Sequence, residues 1–400
     1  MSSFKEFKKA GHWPTLLGAF LYFDFSFMVW VMLGALGVVI AQDLGLSPSQ
    51  KGLMVALPLL SGAGFRLVLG SLVDQWGPRK TAILGLTLTA IPLALGAWGP
   101  KSFELTLAVG FCLGIAGASF AAALPLASRW YPPQWQGLAL GIAGAGNSGT
   151  VLAAYFAPRF AEHFGWQSTL GLLLLPWSLV LIAFLALAKE APRPASAVAT
   201  EGWMPLLKLT DSWIFGLRYA VTFGGFVGLA SFLPLLLRDQ YGLSPVMAGN
   251  MTALCVMAGS FVRPIGGALA DRLGGLKVLG LVFAAAAVLS LGAATLAPMP
   301  IEMTVLVLLL GTLGIGNGAV FQLVPLRFGP ARMGRITGWM GALGGVGGFF
   351  LPSLLGTLKQ STGSFAWGFV VWAVLALLAW NLPRLSEDHA LAGTSIAMED

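Results

Sequence analysis

The chain has 400 residues, 57% of them hydrophobic and only 10% charged, with a formal net charge of +7 and a mean hydropathy of +0.82. A water-soluble globular domain does not carry that balance. Apolar runs of roughly 20 residues, rather than short alternating segments, exclude a transmembrane β-barrel and predict an all-α membrane protein.

From the amino end, Lys5, Lys8 and Lys9 precede an apolar run from about Trp13 to Ile40. The basic start resembles a signal peptide, but the run is too long for a signal h-region and lacks a small-residue cleavage pattern, so it is kept as helix 1. Charge, Pro and Gly punctuation predicts twelve membrane helices, beginning near residues 13, 50, 81, 103, 137, 167, 211, 245, 278, 302, 334 and 364. Between helices 6 and 7, KEAPRPASAVATEGWMP (Lys189 to Pro205) has no apolar run. The expected organisation is a six-helix bundle over 1–188, a cytoplasmic linker over 189–208, a second bundle over 209–383 and a cytoplasmic tail over 384–400.

With the amino terminus in the cytoplasm, Lys5, Lys8, Lys9, Arg79, Lys80, Arg272, Lys277, Arg327 and Arg335 share one side with most other basic residues. Lys51, Lys101, Arg159, Arg238 and Lys359 fall on the other, as the positive-inside rule requires. The positive charge is thereby explained by topology, and no nucleic-acid partner is expected. Arg66, Arg218 and Arg263 fall within spans.

The halves repeat. The shift that lays GLSP at Gly45–Pro48 onto GLSP at Gly242–Pro245 also takes Arg66 to Arg263, Gly70 to Gly267, Asp74 to Asp271, Gly77 to Gly274 and Gly144 to Gly341. Two six-helix halves so related are the plan of alternating-access carriers, with a site near mid-membrane between them. On these residues the chain resembles the major facilitator superfamily. Its loop motif stands as Gly70, Asp74, Gly77, Arg79 and Lys80, with a partial copy at Gly267, Asp271, Gly274 and Lys277. An acidic residue beside a tight glycine turn can engage the neighbouring bundle in one state and release it in another.

Four further segments resemble the nitrate/nitrite porter family over nearly the full length. They are GIAGAGNSG (Gly141 to Gly149) on helix 5, YAVTFGGFVGLASFLP from Tyr219 on helix 7, GIGNGAVFQLVP from Gly314 on helix 10 and GALGGVGGFFLP (Gly341 to Pro352) on helix 11. The resemblance implies nitrate or nitrite as substrate, Arg66 and Arg263 as the anion-binding pair, and Phe120, Asn147, Tyr219 and Phe223 around it. It also implies signature glycines at Gly141, Gly144, Gly146, Gly341, Gly344 and Gly345.

The residues support this independently. Arg66 lies eight residues before Asp74, roughly 12 Å along a helix, and Arg263 repeats the geometry. A charge at that depth costs at least ~2.5 kcal/mol and demands a partner. Among Asp and Glu only Asp24 is expected well inside a span, so the substrate could supply the missing charge. A planar guanidinium with forked donors suits trigonal oxygens. A structural link from each arginine to backbone carbonyls is the alternative, and aromatic residues and glycines in membrane helices also serve plain packing. Asn317, which the repeat lays on Phe120, is either a ligand-side amide or an interhelical hydrogen bond.

Asp24, within FLYFDFSFMVW, lies roughly 17 Å along helix 1. It is the proton-coupling candidate; a permanently neutral aspartate locking helix 1 by a hydrogen bond is the other reading. The porter family contains proton-coupled importers and nitrate/nitrite exchangers, and a membrane acid favours symport. Arg218 is a departure: it either snorkels to the cytoplasmic surface or adds an anion contact. A carrier for a carboxylate or an organic phosphate is the rival within transport. Cys112 and Cys255, far apart in apolar runs, indicate neither a disulfide nor a metal site. No cofactor and no enzymatic activity are expected; the expectation is a monomer in the bilayer of a bacterial or archaeal inner membrane, taking a proton as co-substrate.

Overall fold

The computed structural model describes residues 2–99, 101–191, 203–328 and 333–382. Most of the expected linker and the whole of the expected tail lie outside the described residues. The described residues form helices joined by tight turns, arranged as the twelve-helix fold of two pseudo-symmetric bundles.

The GLSP repeat is a helix-starting turn in both copies. Gly45 and Gly242 have positive φ (62° and 69°), a conformation glycine adopts without a Cβ penalty. Ser47 accepts a hydrogen bond from the Gln50 N–H and Ser244 from the Met247 N–H, while Pro48 and Pro245 occupy the first turn, where a missing N–H costs nothing. Helix 2 (Pro48–Trp76) and helix 8 (Pro245–Leu273) start there. The motif glycines match equally: Gly77 and Gly274 share a φ of 89° and end those helices.

Helices 3 (Pro78–Ala97), 7 (Thr210–Tyr241), 9 (Gly275–Ala294), 10 (Met299–Phe328) and 11 (Met333–Thr362) are continuous. Others break. Helix 1 runs as Trp13–Trp30, Met32–Ala35 and Gly37–Asp43; helix 4 as Phe103–Gly117 and Phe120–Ser128; and helix 5 as Pro133–Gly144, a 3-10 turn Ala145–Ser148 and Gly149–Phe164. Helix 6 runs as Trp166–Leu172 and Leu174–Leu187, and helix 12 is Ala366–Trp380. Helix 8 divides into Pro245–Phe261 and Arg263–Leu273, where Pro264 has no N–H to continue the ladder.

Helices 2 and 7, one from each half, both pack along helix 11, and helix 5 packs on helix 8. The halves close most tightly at the end carrying Lys51. There Lys51 Nζ lies 2.7 Å from Asp239, Arg159 Nη2 donates to Asn250 Oδ1 at 2.8 Å, and a Cβ on Gly52 would sit 2.6 Å from the Pro352 carbonyl. At the opposite end Arg335 and Asp74 form a cross-bundle ion pair at 3.5 Å. Expected helix starts shift by a few residues, with one consequence. Helix 10 begins at Met299, so Glu302 moves inward to its first turn and is wholly buried. Like Asp24 it is a buried carboxyl, but it sits at a helix end rather than well inside a span.

Candidate functional site

Helix 2 carries Arg66 to the seam between the halves, where it is 1% exposed. The break in helix 4 is part of its environment. Ala121 N–H turns to the Ala118 carbonyl (3.0 Å) in a 3-10 step, which leaves the Gly117 carbonyl to accept from Arg66 Nε at 2.8 Å. Across the seam Arg66 Nη1 donates to the Gly341 carbonyl of helix 11. Two donors thus reach backbone carbonyls, as the structural alternative anticipates. Nη2 is buried with no hydrogen-bond partner among the described residues.

The guanidinium is walled by rings from both halves. Its central carbon lies 4.8 Å from the Trp30 ring centre, 5.6 Å from Phe120 and 5.4 Å from Phe223. Phe223 stacks on Tyr219 (4.9 Å, 7°), and Tyr219 meets Phe321 edge-on at 5.1 Å. Phe321 in turn faces Arg263, 5.4 Å from its guanidinium carbon, and Arg263 Nη2 donates to Tyr219 Oη at 3.4 Å. Arg263 Nη1 is likewise buried without a partner among the described residues. Arg66, Phe120, Tyr219, Phe223 and Arg263 therefore share one aromatic cluster. The cationic ends face ring faces, a favourable arrangement for a desolvated cation.

Trp30 and Phe321 are members that the sequence reading missed. Phe321 stands one helical turn after Asn317 within a segment already singled out, a spacing that could have found it. Trp30 ends the aromatic run of helix 1, and its indole N–H is satisfied by the Pro58 carbonyl at 2.7 Å. Asn147 and Asn317 are buried, each with its amide oxygen unpartnered among the described residues. Arg218 is 4% exposed and donates to the Leu382 carbonyl at 3.2 Å, just past the end of helix 12.

The signature glycines divide. A Cβ on Gly344 would stand 2.8 Å from the Phe223 ring and 2.9 Å from Tyr219, on Gly345 2.9 Å from Ala63, and on Gly341 3.4 Å from Arg66 and Phe120. These let helix 11 lie flat on the rings and on helix 2. On Gly146 it would meet Phe23 at 2.6 Å. Gly141 and Gly144 differ: an added Cβ on either meets nothing within 4 Å among the described residues.

Asp24 is 5% exposed, and Ser148 Oγ donates to its Oδ1 at 2.6 Å. Of the loop motif, Asp74 faces Arg335, with Gly70 lining a small pocket beside them that Ala121 and Arg129 complete. Arg79 donates from Nε to the Ala188 carbonyl at 2.7 Å, tying the turn at Gly77 to the end of helix 6, while Asp271, its repeat partner to Asp74, is exposed.

A twelve-helix fold with a buried cationic, aromatic centre between its halves defines a membrane carrier. The profile of the Major Facilitator Superfamily matches residues 16–352. A probable nitrate/nitrite transporter NarK2 of Mycobacterium tuberculosis is 33% identical over 90% of this chain and 93% of its own length. A nitrite extrusion protein of Bacillus subtilis is 33% identical over 89% and 90%, and a probable nitrate/nitrite antiporter NarK1 of Thermus thermophilus 34% over 93% and 94%. In fold, the chain matches a bacterial homologue of the human lysosomal transporter Spinster, with a TM-score of 0.70 at 18% identity over 91% of this chain and 94% of the other. The chain belongs to the nitrate/nitrite porter family of the major facilitator superfamily.

Proposed function

We propose that this protein carries nitrate, and nitrite, across the inner membrane of a bacterial cell by alternating access, as a monomer with both termini in the cytoplasm. The observation that carries the reading is the meeting of Arg66 and Arg263, from opposite halves, at one buried aromatic cluster, each with a guanidinium nitrogen that has no acceptor among the described residues. A flat anion offers the acceptors those donors lack, and rings on either side admit a thin ligand better than a bulky carboxylate or organic phosphate. The names of the relatives in three bacteria point to the same cargo.

In this reading Arg66, Arg263, Asn147 and Asn317 hold the anion, and Phe120, Tyr219 and Phe223 bound it. Closure at the Lys51 end corresponds to a carrier sealed toward the outside. Asp74 and Arg335 latch the cytoplasmic end, with Gly70, Gly77 and Arg79 shaping the turn. Transport is proton-coupled through Asp24, the carboxyl nearest mid-membrane. Exchange of nitrate for nitrite is the second reading, favoured by the antiporter name of one relative. The test is nitrate uptake into proteoliposomes under an inward proton gradient, with and without nitrite inside. Uptake on the gradient alone supports symport, uptake that requires internal nitrite replaces it by exchange, and uptake in neither case removes nitrate as the cargo.

A further inference from the structure

Asp24 on helix 1 and Asn147 on helix 5 meet at a single turn. The 3-10 turn Ala145–Ser148 puts the Asn147 amide and the Ser148 hydroxyl on adjacent residues. Ser148 Oγ lies 2.6 Å from Asp24 Oδ1 and 2.9 Å from the Ala145 carbonyl. A serine hydroxyl has one proton to give and two lone pairs to accept with. Between an ionised carboxylate and a carbonyl it faces two acceptors with one hydrogen, and one of the two short contacts goes without a proton. With Asp24 protonated the count closes: the Asp24 O–H donates to Ser148 Oγ, and the Ser148 O–H donates to the Ala145 carbonyl.

We propose that Ser148 is a positioning residue that reads the protonation of Asp24 and transmits it to the 3-10 turn holding Asn147. The inference rests on the proton-coupled reading above. When Asp24 loses its proton, Ser148 must turn its hydrogen to the carboxylate and release the Ala145 carbonyl, which loosens the turn. The packing carries the change onward. A Cβ on Gly146 would stand 2.6 Å from Phe23 and 2.9 Å from the Asp24 N–H nitrogen, so the turn cannot shift without helix 1. Phe23 packs 5.6 Å from the Phe120 ring, and Phe120 lies 5.6 Å from the Arg66 guanidinium carbon. A contiguous chain of contacts therefore joins the carboxyl to the anion side, which is what physical coupling requires.

Few other groups compete for this role. Of the elements packed on Trp13–Trp30, Phe120–Ser128, Pro133–Gly144 and Leu174–Leu187 bring no titratable or charged side chain. Phe103–Gly117 brings Glu104 and Cys112, and Gly149–Phe164 brings Tyr155, Arg159, Glu162 and His163 in its second half. Pro48–Trp76 brings Lys51 and Asp74 near its ends and Arg66 between them. Tyr22, on the helix of Asp24, points its hydroxyl toward Gly85.

The experiment uses the full chain in proteoliposomes and compares wild type, Ser148→Ala and Ser148→Thr. Gradient-driven nitrate uptake and the accompanying proton flux are measured across a pH series, with nitrate/nitrite exchange at equal pH as the reference. In Ser148→Ala the ratio of gradient-driven uptake to exchange is expected to fall about tenfold, the worth of one charge-assisted hydrogen bond, and the pH profile to move. Ser148→Thr, which keeps the hydroxyl, restores both. An alanine variant with the wild-type ratio and profile overturns the relay and leaves proton coupling standing. Equal loss of both activities assigns Ser148 to the fold and also overturns it. Wild type without gradient-driven uptake removes proton coupling itself, and the relay with it.

Discussion

The guanidinium carbon of Arg66, on helix 2 of the first half, lies 5.4 Å from the ring centre of Phe223, on helix 7 of the second. The contact makes the two bundles share one buried surface. Any ligand held by Arg66 therefore touches both halves, and its arrival or departure acts directly on their relative position.

Replacing Arg66 with Lys keeps the charge but removes the fork that reaches Gly117 and Gly341 at once. One charge-assisted hydrogen bond is worth about 1.5–3 kcal/mol, so nitrate affinity is expected to drop roughly 10- to 100-fold. Titration calorimetry on the purified, correctly folded variant reads this. An affinity within twofold of wild type would count against Arg66 as an anion ligand.

Tyr219→Phe retains the ring stacked on Phe223 and loses only the hydroxyl that accepts from Arg263. The expected result is a several-fold change in nitrate affinity, the net effect of a hydrogen bond worth about 1 kcal/mol, with unchanged thermal stability in detergent. A marked fall in melting temperature would instead assign the hydroxyl a structural role.

Gly344→Ala and Gly141→Ala separate two glycines that the sequence presents alike. The first pushes a methyl into Tyr219 and Phe223, and overpacking of this kind costs typically ~1–3 kcal/mol. The second adds a methyl to open space. Uptake by Gly344→Ala is expected to fall severely and uptake by Gly141→Ala to hold in the conformation described. A severe defect in Gly141→Ala would mean that helix 5 closes on a neighbour elsewhere in the cycle.

Lys51 and Asp239 join the halves at one end with side chains 15% and 20% exposed, and Arg335 and Asp74 join them at the other. Partly exposed pairs contribute about 0.2–1 kcal/mol, enough to bias a carrier between two states of similar energy. Lys51→Asp is expected to slow uptake several-fold, and adding Asp239→Lys to restore it. Failure of the reversed pair to rescue uptake would separate the ion pair from the transport cycle.

Much of the frame was legible in the chain. Hydropathy located the helices, and the two GLSP turns announced their own structure, because a left-handed glycine, a serine cap and a proline in the first turn act within a few residues of one another. The two arginines also stood out, since a permanent charge in an apolar span calls for explanation wherever it points. Trp30, Phe321 and the Ser148–Asp24 pair were not legible as parts of a site. Their meaning lies in how far each helix is rotated and where it breaks.

The sequence by itself thus determined which segments cross the bilayer, where they turn and that the halves are related, since these follow from side-chain polarity and local backbone preference. Only the tertiary structure decided that Arg66 reaches across to Gly341, that Gly344 packs on rings while Gly141 faces open space, and that one hydroxyl bridges Asp24 and helix 5. Those outcomes depend on contacts between residues far apart in the chain, and no local pattern encodes the rotation and breakage of helices that bring them together.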